Sequence, residues 1–199
     1  AASVIACIKY CEALREQFGK RFVSLLPCHL YGPGDRYEVG DSRLIPSLIL
    51  KMVLAKRNGD RSITCQEDGD DETEFLYCDD MAAACVQVMD DDGGFPILNV
   101  GSGVAVSQRR LAGLIASIIG FGGEVAWGAS GRASHSRGLL DRSRITSLGW
   151  APVTSLDDGV RRTVENFLER LHWQNKLEGA TSSDEVKSAF FQKRESHSN

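Results

Sequence analysis

Val23-Ser24-Leu25-Leu26-Pro27-Cys28-His29-Leu30-Tyr31-Gly32-Pro33-Gly34-Asp35, followed shortly by Ser42-Arg43-Leu44-Ile45-Pro46, is the stretch that decides the fold. The apolar run Phe22–Leu26 stops at Pro27, and residues 31–35 have the composition of a turn. An amphipathic helix then starts near Pro46, with Ser42 placed to cap it. Strand, turn and helix in that order mark the carboxyl edge of a parallel sheet, where open α/β folds seat their ligands.

Reading outward, Val4–Phe18 has helical spacing, with Ile5, Ile8, Cys11, Ala13 and Leu14 on one side and Gly19 as its stop. Arg21–Leu26 is a strand of the continuous apolar kind that suits a buried parallel sheet. Downstream, Leu44, Leu48, Met52 and Ala55 keep the helical period up to Gly59, and Ser62–Cys65 reads as a strand. Gln66–Asp71 is an acidic turn and Glu74–Cys78 a strand. Asp79 and Asp80 offer an N-cap and first-turn charge to a helix over 81–89. Further strands are expected at Pro96–Val100 and Glu124–Trp127, on either side of a helix that Ser107 caps and that runs to Ile119. A polar stretch over 128–138, a short helix from Asp141 and a last helix Leu156–Leu171, capped by Ser155, complete the pattern. Short strands alternating with helices make this an α/β fold. The expected organisation is the end of one layered sheet over 1–40, a smaller α/β lobe over 41–173, and a polar extension over 174–199.

The 199 residues carry a net charge of −4 with the basic residues scattered, which excludes a nucleic-acid footprint. No apolar run approaches the ~20 residues of a membrane span. The chain opens Ala-Ala-Ser without Met and without a signal peptide, so a processed or incomplete N-terminus and a soluble, intracellular setting are expected, the organelle being unspecified. Six cysteines lack Cys-x-x-Cys spacing. Cys7 and Cys11 share a helix face, yet no His or further Cys stands nearby at zinc-ligand spacing, so reduced thiols and no metal are expected.

Several stretches together resemble the extended short-chain dehydrogenases/reductases, and within them the GDP-L-fucose synthase branch. They are Ile8-Lys9-Tyr10-Cys11-Glu12, Leu30-Tyr31-Gly32-Pro33, Leu44-Ile45-Pro46, Glu74-Phe75-Leu76-Tyr77-Cys78-Asp79-Asp80-Met81-Ala82, Leu98-Asn99-Val100-Gly101-Ser102-Gly103, Leu139-Leu140-Asp141 and Leu148-Gly149-Trp150. The resemblance covers residues 1 to about 171 and only the C-terminal half of such a protein. It implies the last strands and helices of a Rossmann-type parallel sheet plus the smaller substrate lobe. The activity it implies is an NADP-dependent nucleotide-sugar epimerase/reductase.

The chemistry that the resemblance implies is altered here. The Gly-rich pyrophosphate loop belongs to the other half, and no Gly-x-Gly-x-x-Gly occurs in this chain. The Tyr-x-x-x-Lys pair would place its Tyr before residue 1 and its Lys at Val4, which can neither hold a ribose hydroxyl nor tune a phenol. The family's acid histidine falls on Arg43, which stays protonated. His29, in place of an Asn, and Leu30 occupy the cofactor loop. Thr73 replaces the arginine that clamps the sugar nucleotide, and Gln66-Glu67-Asp68-Gly69 replaces the Trp-Gly-Ser-Gly of the guanine pocket. Gly138 replaces the lysine beside Leu-Leu-Asp. Lys51 keeps a basic diphosphate contact, and Arg137 remains near the substrate. Six carboxylates between Glu67 and Glu74 oppose a pyrophosphate, at a cost of the order of 1 kcal/mol per close like-charge pair.

Cys28 and His29 read as a packed loop or as a repurposed thiol and acid/base. Asn99–Gly103 reads equally as a phosphate cradle or a strand-end turn, and the acidic run as a solvated loop or a basic partner's contact. The expected function is an inactive, GDP-L-fucose synthase-like fragment with no cofactor of its own, serving a larger protein assembly as a structural or accessory subunit. The family implies a homodimer contact through the first helix. Two alternatives stand beside it: an active epimerase/reductase whose N-terminal half is missing or separate, and a small-ligand module near Lys51, Asn99 and Arg137.

Overall fold

The computed structural model describes residues 2–38, 43–128 and 138–178, with backbone alone from 173 onward. The order is α1 (Ala2–Phe18), β1 (Ser24–Pro27), β2 (His29–Tyr31), α2 (Leu44–Asn58), β3 (Ser62–Cys65), β4 (Glu72–Tyr77) and α3 (Cys78–Asp90). It continues with β5 (Ile97–Val100), β6 (Ala105–Ser107), α4 (Gln108–Ile119), β7 (Glu124–Trp127), α5 (Ser143–Ser147) and α6 (Leu156–Glu178). The α/β reading holds, and four pairings show how the chain is threaded. β1 runs parallel to β5 with Ser24 opposite Ile97, and β3 runs parallel to β7. β2 runs parallel to β4 with Tyr31 opposite Tyr77, and β6 lies antiparallel on the other edge of β4. Among the described residues no helix is long and apolar enough to cross a membrane.

Two cores follow from the helix faces. In the larger one, Ile45, Leu48, Ile49 and Met52 of α2 meet Leu111 and Ile115 of α4 and Val160 and Val164 of α6, all fully buried. Each such aliphatic side chain contributes about 1.5–3 kcal/mol of transfer free energy. The smaller core gathers Leu76, Ala84, Val88, Leu98, Val100, Ile145 and Trp150 beneath β1 and β5. α6 reaches the sheet because Gly159 faces the Tyr31–Tyr77 ring pair: a Cβ there would stand 2.3 Å from the Tyr31 hydroxyl. Helix ends follow local chemistry. Gly59 and Gly120 take left-handed conformations after α2 and α4, and Ser107 accepts from the Arg110 amide at the head of α4.

Several expectations need correction. β1 is shorter than expected, Ser24–Pro27, includes Pro27 as its last residue, and is only half-buried. Among the described residues its pairing is with β5 alone, which leaves the other edge without the neighbour that a buried parallel strand has. The turn expected from Tyr31 is preceded by a strand, β2, because the chain changes sheets at Cys28. The Cys28 amide donates to the Val100 carbonyl at the end of β5, and His29–Tyr31 then join β4. β6 was not expected; with three residues it is too short to show a period. α3 starts at Cys78 with Tyr77 in the cap position and no side-chain cap, so neither aspartate is an N-cap, although both lie in the first turn. α6 continues past Leu171 to Glu178. Ser42, most of the 128–138 stretch and the residues after 178 lie outside the described residues.

α1 buries no side chain, although its apolar period is as expected. What ties it down is Arg15, which donates to the Phe22 carbonyl (3.2 Å), the Asp92 carboxylate (3.2 Å) and the Gly94 carbonyl (3.0 Å). The Gly94 amide holds the Asp92 carboxyl below its ordinary value of 3.8, with Arg15 and Arg21 adding to the effect. A depressed carboxyl stabilises the fold fully above its unfolded value and loses that contribution as pH falls through the folded one. Amides of α1 are therefore expected to exchange faster, relative to intrinsic rates, once pH drops below 3.8. Arg15→Ala is expected to accelerate them about tenfold at neutral pH. Hydrogen exchange read by mass spectrometry checks both, with α4 as the unaffected internal reference.

Candidate functional site

At the carboxyl ends of β1 and β5, where the chain crosses between sheets, lies an open cleft of about 280 Å³. It is lined by Pro27, Cys28 and His29 from the crossover, Thr73 and Glu74 from β4, and Gly138 and Leu140 from the returning segment. This is the edge that the sequence marks as ligand-facing.

Glu74 organises the cleft. It is 5% exposed, and its carboxylate accepts from the Gly103 amide (2.6 Å) and the Leu140 amide (3.0 Å). Gly101 makes room for it, since a Cβ at that position would stand 2.3 Å from a Glu74 oxygen. The loop Gly101-Ser102-Gly103 therefore does cradle an anion, but the anion is the chain's own side chain. Counting Glu74 with a solvated acidic run was wrong. Its sequence neighbours differ: Asp70 is exposed and pairs with Arg109 (3.1 Å), whose guanidinium lies over the Trp127 ring.

Cys28 is a thiol of the same cleft. Burial first, and then the Glu74 charge, push it up to about 11. At neutral pH it is a protonated thiol and a poor nucleophile. His29 is exposed, its ring 5.9 Å from that of Phe75, and Leu30 is exposed on β2. Thr73 is half-buried on β4, opposite Val106. Of the residues singled out in the sequence, Cys28, His29, Thr73 and Gly138 are brought together here, with Glu74 of the acidic run. The others stand elsewhere. Val4 is 58% exposed on α1. Arg43 pairs with Asp35 and donates to the Arg36 carbonyl, binding the loop after β2 to the head of α2. Lys51 donates to the Thr64 carbonyl, which fastens α2 to β3 (3.1 Å). Arg137 lies outside the described residues.

Sequence reading missed Glu74 as the centre of the site. The only available signal was the Gly-x-Gly turn after β5, which asks for a close-lying anion without saying which. The described lining presents a neutral thiol, an imidazole, a hydroxyl and a carboxylate already committed to two amides. That set can hold a polar group by hydrogen bonds, but it supplies no lysine or arginine for a pyrophosphate. These residues do not by themselves fit a nicotinamide dinucleotide.

Comparison with known proteins agrees with the fold. The family model described as NAD dependent epimerase/dehydratase family matches residues 1–101. GDP-L-fucose synthase 1 of Arabidopsis thaliana is 37% identical over 171 residues, covering 86% of this chain and 53% of the relative. GDP-L-fucose synthase of Escherichia coli is 36% identical over 178 residues, covering 85% and 56%. Among solved structures, a GDP-mannoheptose C4 reductase from Campylobacter jejuni with NADP bound is 29% identical, with a TM-score of 0.72 over 84% of this chain and 56% of that one. A GDP-6-OMe-4-keto-L-xylo-heptose reductase from the same organism is 25% identical, with a TM-score of 0.75 over 85% and 60%. The chain spans about half the length of the curated relatives it matches.

Proposed function

The chain belongs to the NAD dependent epimerase/dehydratase family, and on that footing we propose that it is a GDP-L-fucose synthase-like half-scaffold. In this reading it serves a larger assembly as a structural or accessory subunit and carries no catalysis of its own. The observation that supports this most is the cleft, whose described lining holds Glu74 and no lysine or arginine where a sugar diphosphate would need cations. The residues at the two proton-transfer positions point the same way. Val4 is an exposed alkyl group on α1, and the Arg43 guanidinium is spent on Asp35. NADP is bound in the Campylobacter jejuni GDP-mannoheptose C4 reductase, and the described lining of this cleft offers its phosphates no lysine or arginine.

Titration of the purified chain with NADPH, followed by nucleotide fluorescence, tests this. No saturable change is expected up to about 1 mM, which corresponds to less than about 4 kcal/mol of binding. Saturable binding at micromolar NADPH, or turnover of GDP-4-keto-6-deoxy-mannose, would reverse the reading. The open edge of β1 and the uncovered α1 favour one second reading, an epimerase/reductase completed by its other half. Turnover that arises only when that half is supplied would select it.

A further inference from the structure

We propose that the cleft at the carboxyl ends of β1 and β5 binds a small organic cation, a primary amine with an apolar body, whose ammonium group meets Glu74. This rests on the half-scaffold reading, in which the cleft no longer takes a sugar diphosphate, and adds what the remaining lining selects.

Glu74 gives the described wall its sign. It is 5% exposed, yet it lines the open space of about 280 Å³. The Gly103 and Leu140 amides take two of its roughly four lone-pair directions, and both donors are neutral. Among the described residues no lysine or arginine pairs with it. The Arg142 guanidinium packs on Gly103, where a Cβ would stand 2.5 Å from it, but it is not part of the described wall. Glu74 is thus a buried carboxylate held by backbone dipoles, and its field reaches the cleft. Cys28 registers that field, since the Glu74 charge adds to burial in keeping the thiol protonated.

Such an arrangement favours a cation. Taking both charges out of water is what makes a buried ion pair costly. Here folding alone has desolvated the carboxylate, so an arriving ammonium sheds only its own hydration and gains attraction in surroundings of low dielectric. An anion meets the opposite field.

The rest of the wall sets the class of molecule. Pro27 and Leu140 offer apolar contact, and the Thr73 hydroxyl is a further acceptor. The volume lies at the small end of ligand pockets. A metal ion fits less well. Among the described residues no three His, Cys, Asp or Glu side chains gather to hold one, and a protonated thiol is a poor ligand.

The test is titration of the full chain with benzylamine, benzyl alcohol and benzoate, followed by NMR at the Gly103 and Leu140 amides. Benzylamine is expected to bind at least about tenfold more tightly than benzyl alcohol, which has its shape without its charge, and benzoate not to bind. Glu74→Gln is expected to bring the ratio of the first two to about one. A second readout needs no variant. Cys28 and the exposed Cys7 are modified in the same chain by aminoethyl or sulfonatoethyl methanethiosulfonate, and peptide mass spectrometry gives the Cys28-to-Cys7 ratio for each reagent. The ratio is expected to be at least about tenfold higher with the cationic reagent than with the anionic one. This measurement keeps the test valid if Glu74→Gln fails to fold. The proposal is overturned by equal affinity for benzylamine and benzyl alcohol, by tighter binding of benzoate, or by a Cys28-to-Cys7 ratio indifferent to reagent charge. Saturable NADPH binding beside an intact amine preference would instead reject the half-scaffold reading and leave the cation site standing.

Discussion

Glu74→Ala is expected to destabilise the fold by about 3–6 kcal/mol, the sum of two charge-assisted hydrogen bonds worth roughly 1.5–3 kcal/mol each. In a chain of this size that lowers the melting temperature by roughly 10 °C, which a thermal melt reads directly. The reasoning starts from burial: at 5% exposure the carboxylate is committed to the Gly103 and Leu140 amides, and its removal takes the acceptor from both. The loop over 101–103 was shaped around this side chain, and Gly101 in particular leaves a gap when it is removed. Glu74→Gln separates charge from shape. An amide offers one acceptor and one donor, so one of the two N–H groups is opposed, and an intermediate loss is expected. A cost below about 1 kcal/mol for Glu74→Ala would mean that the residue is a solvated member of the acidic run. The same substitution also removes the charge that helps keep the Cys28 thiol protonated, so Cys28 is expected to alkylate faster in the variant.

How far the sequence reveals this molecule depends on where each residue finds its partner. The helix α4 is legible because its cap, Ser107, and its stop, Gly120, are local. β4 is legible from Phe75-Leu76-Tyr77, an apolar run long enough to stand out. β2 and β6 are not, since three residues carry no period and each exists through its pairing with β4. Glu74 was misassigned because its neighbours in sequence are acidic, whereas its partners are 29 and 66 residues away. Lys51 and Arg43 look like free cations in a motif, yet the fold spends one on a carbonyl of β3 and the other on Asp35. α1 is the reverse case. Its apolar spacing is plain in the sequence, but the surface that would cover it is not among the described residues, so the helix is formed and exposed at once.

Asp79 and Asp80 provide the sharpest separation between a local and a tertiary role, because they are adjacent and chemically identical. If both served the helix end, replacing either with alanine would cost about the same, 0.3–1 kcal/mol from the helix dipole. The fold distinguishes them. Asp79 is exposed and near the Cys78 thiol, whereas Asp80 is 3% exposed and accepts from the Val153 amide (3.1 Å) and the Thr154 amide (3.2 Å). Those two amides lie between Trp150 of the smaller core and Ser155, whose hydroxyl accepts from the Asp158 amide at the start of α6. Asp80 thus fastens the first turn of α3 to the segment that launches α6 against Tyr31 and Tyr77. Asp80→Ala is expected to cost about 3–5 kcal/mol, since it removes a 3% exposed carboxylate that two amides share. Asp79→Ala is expected to stay within about 1 kcal/mol. Urea unfolding of the two variants side by side measures the difference. Equal costs would return Asp80 to a purely local role, whereas a several-fold larger cost at Asp80, with the slope in urea unchanged, places the residue at the joint between the two cores.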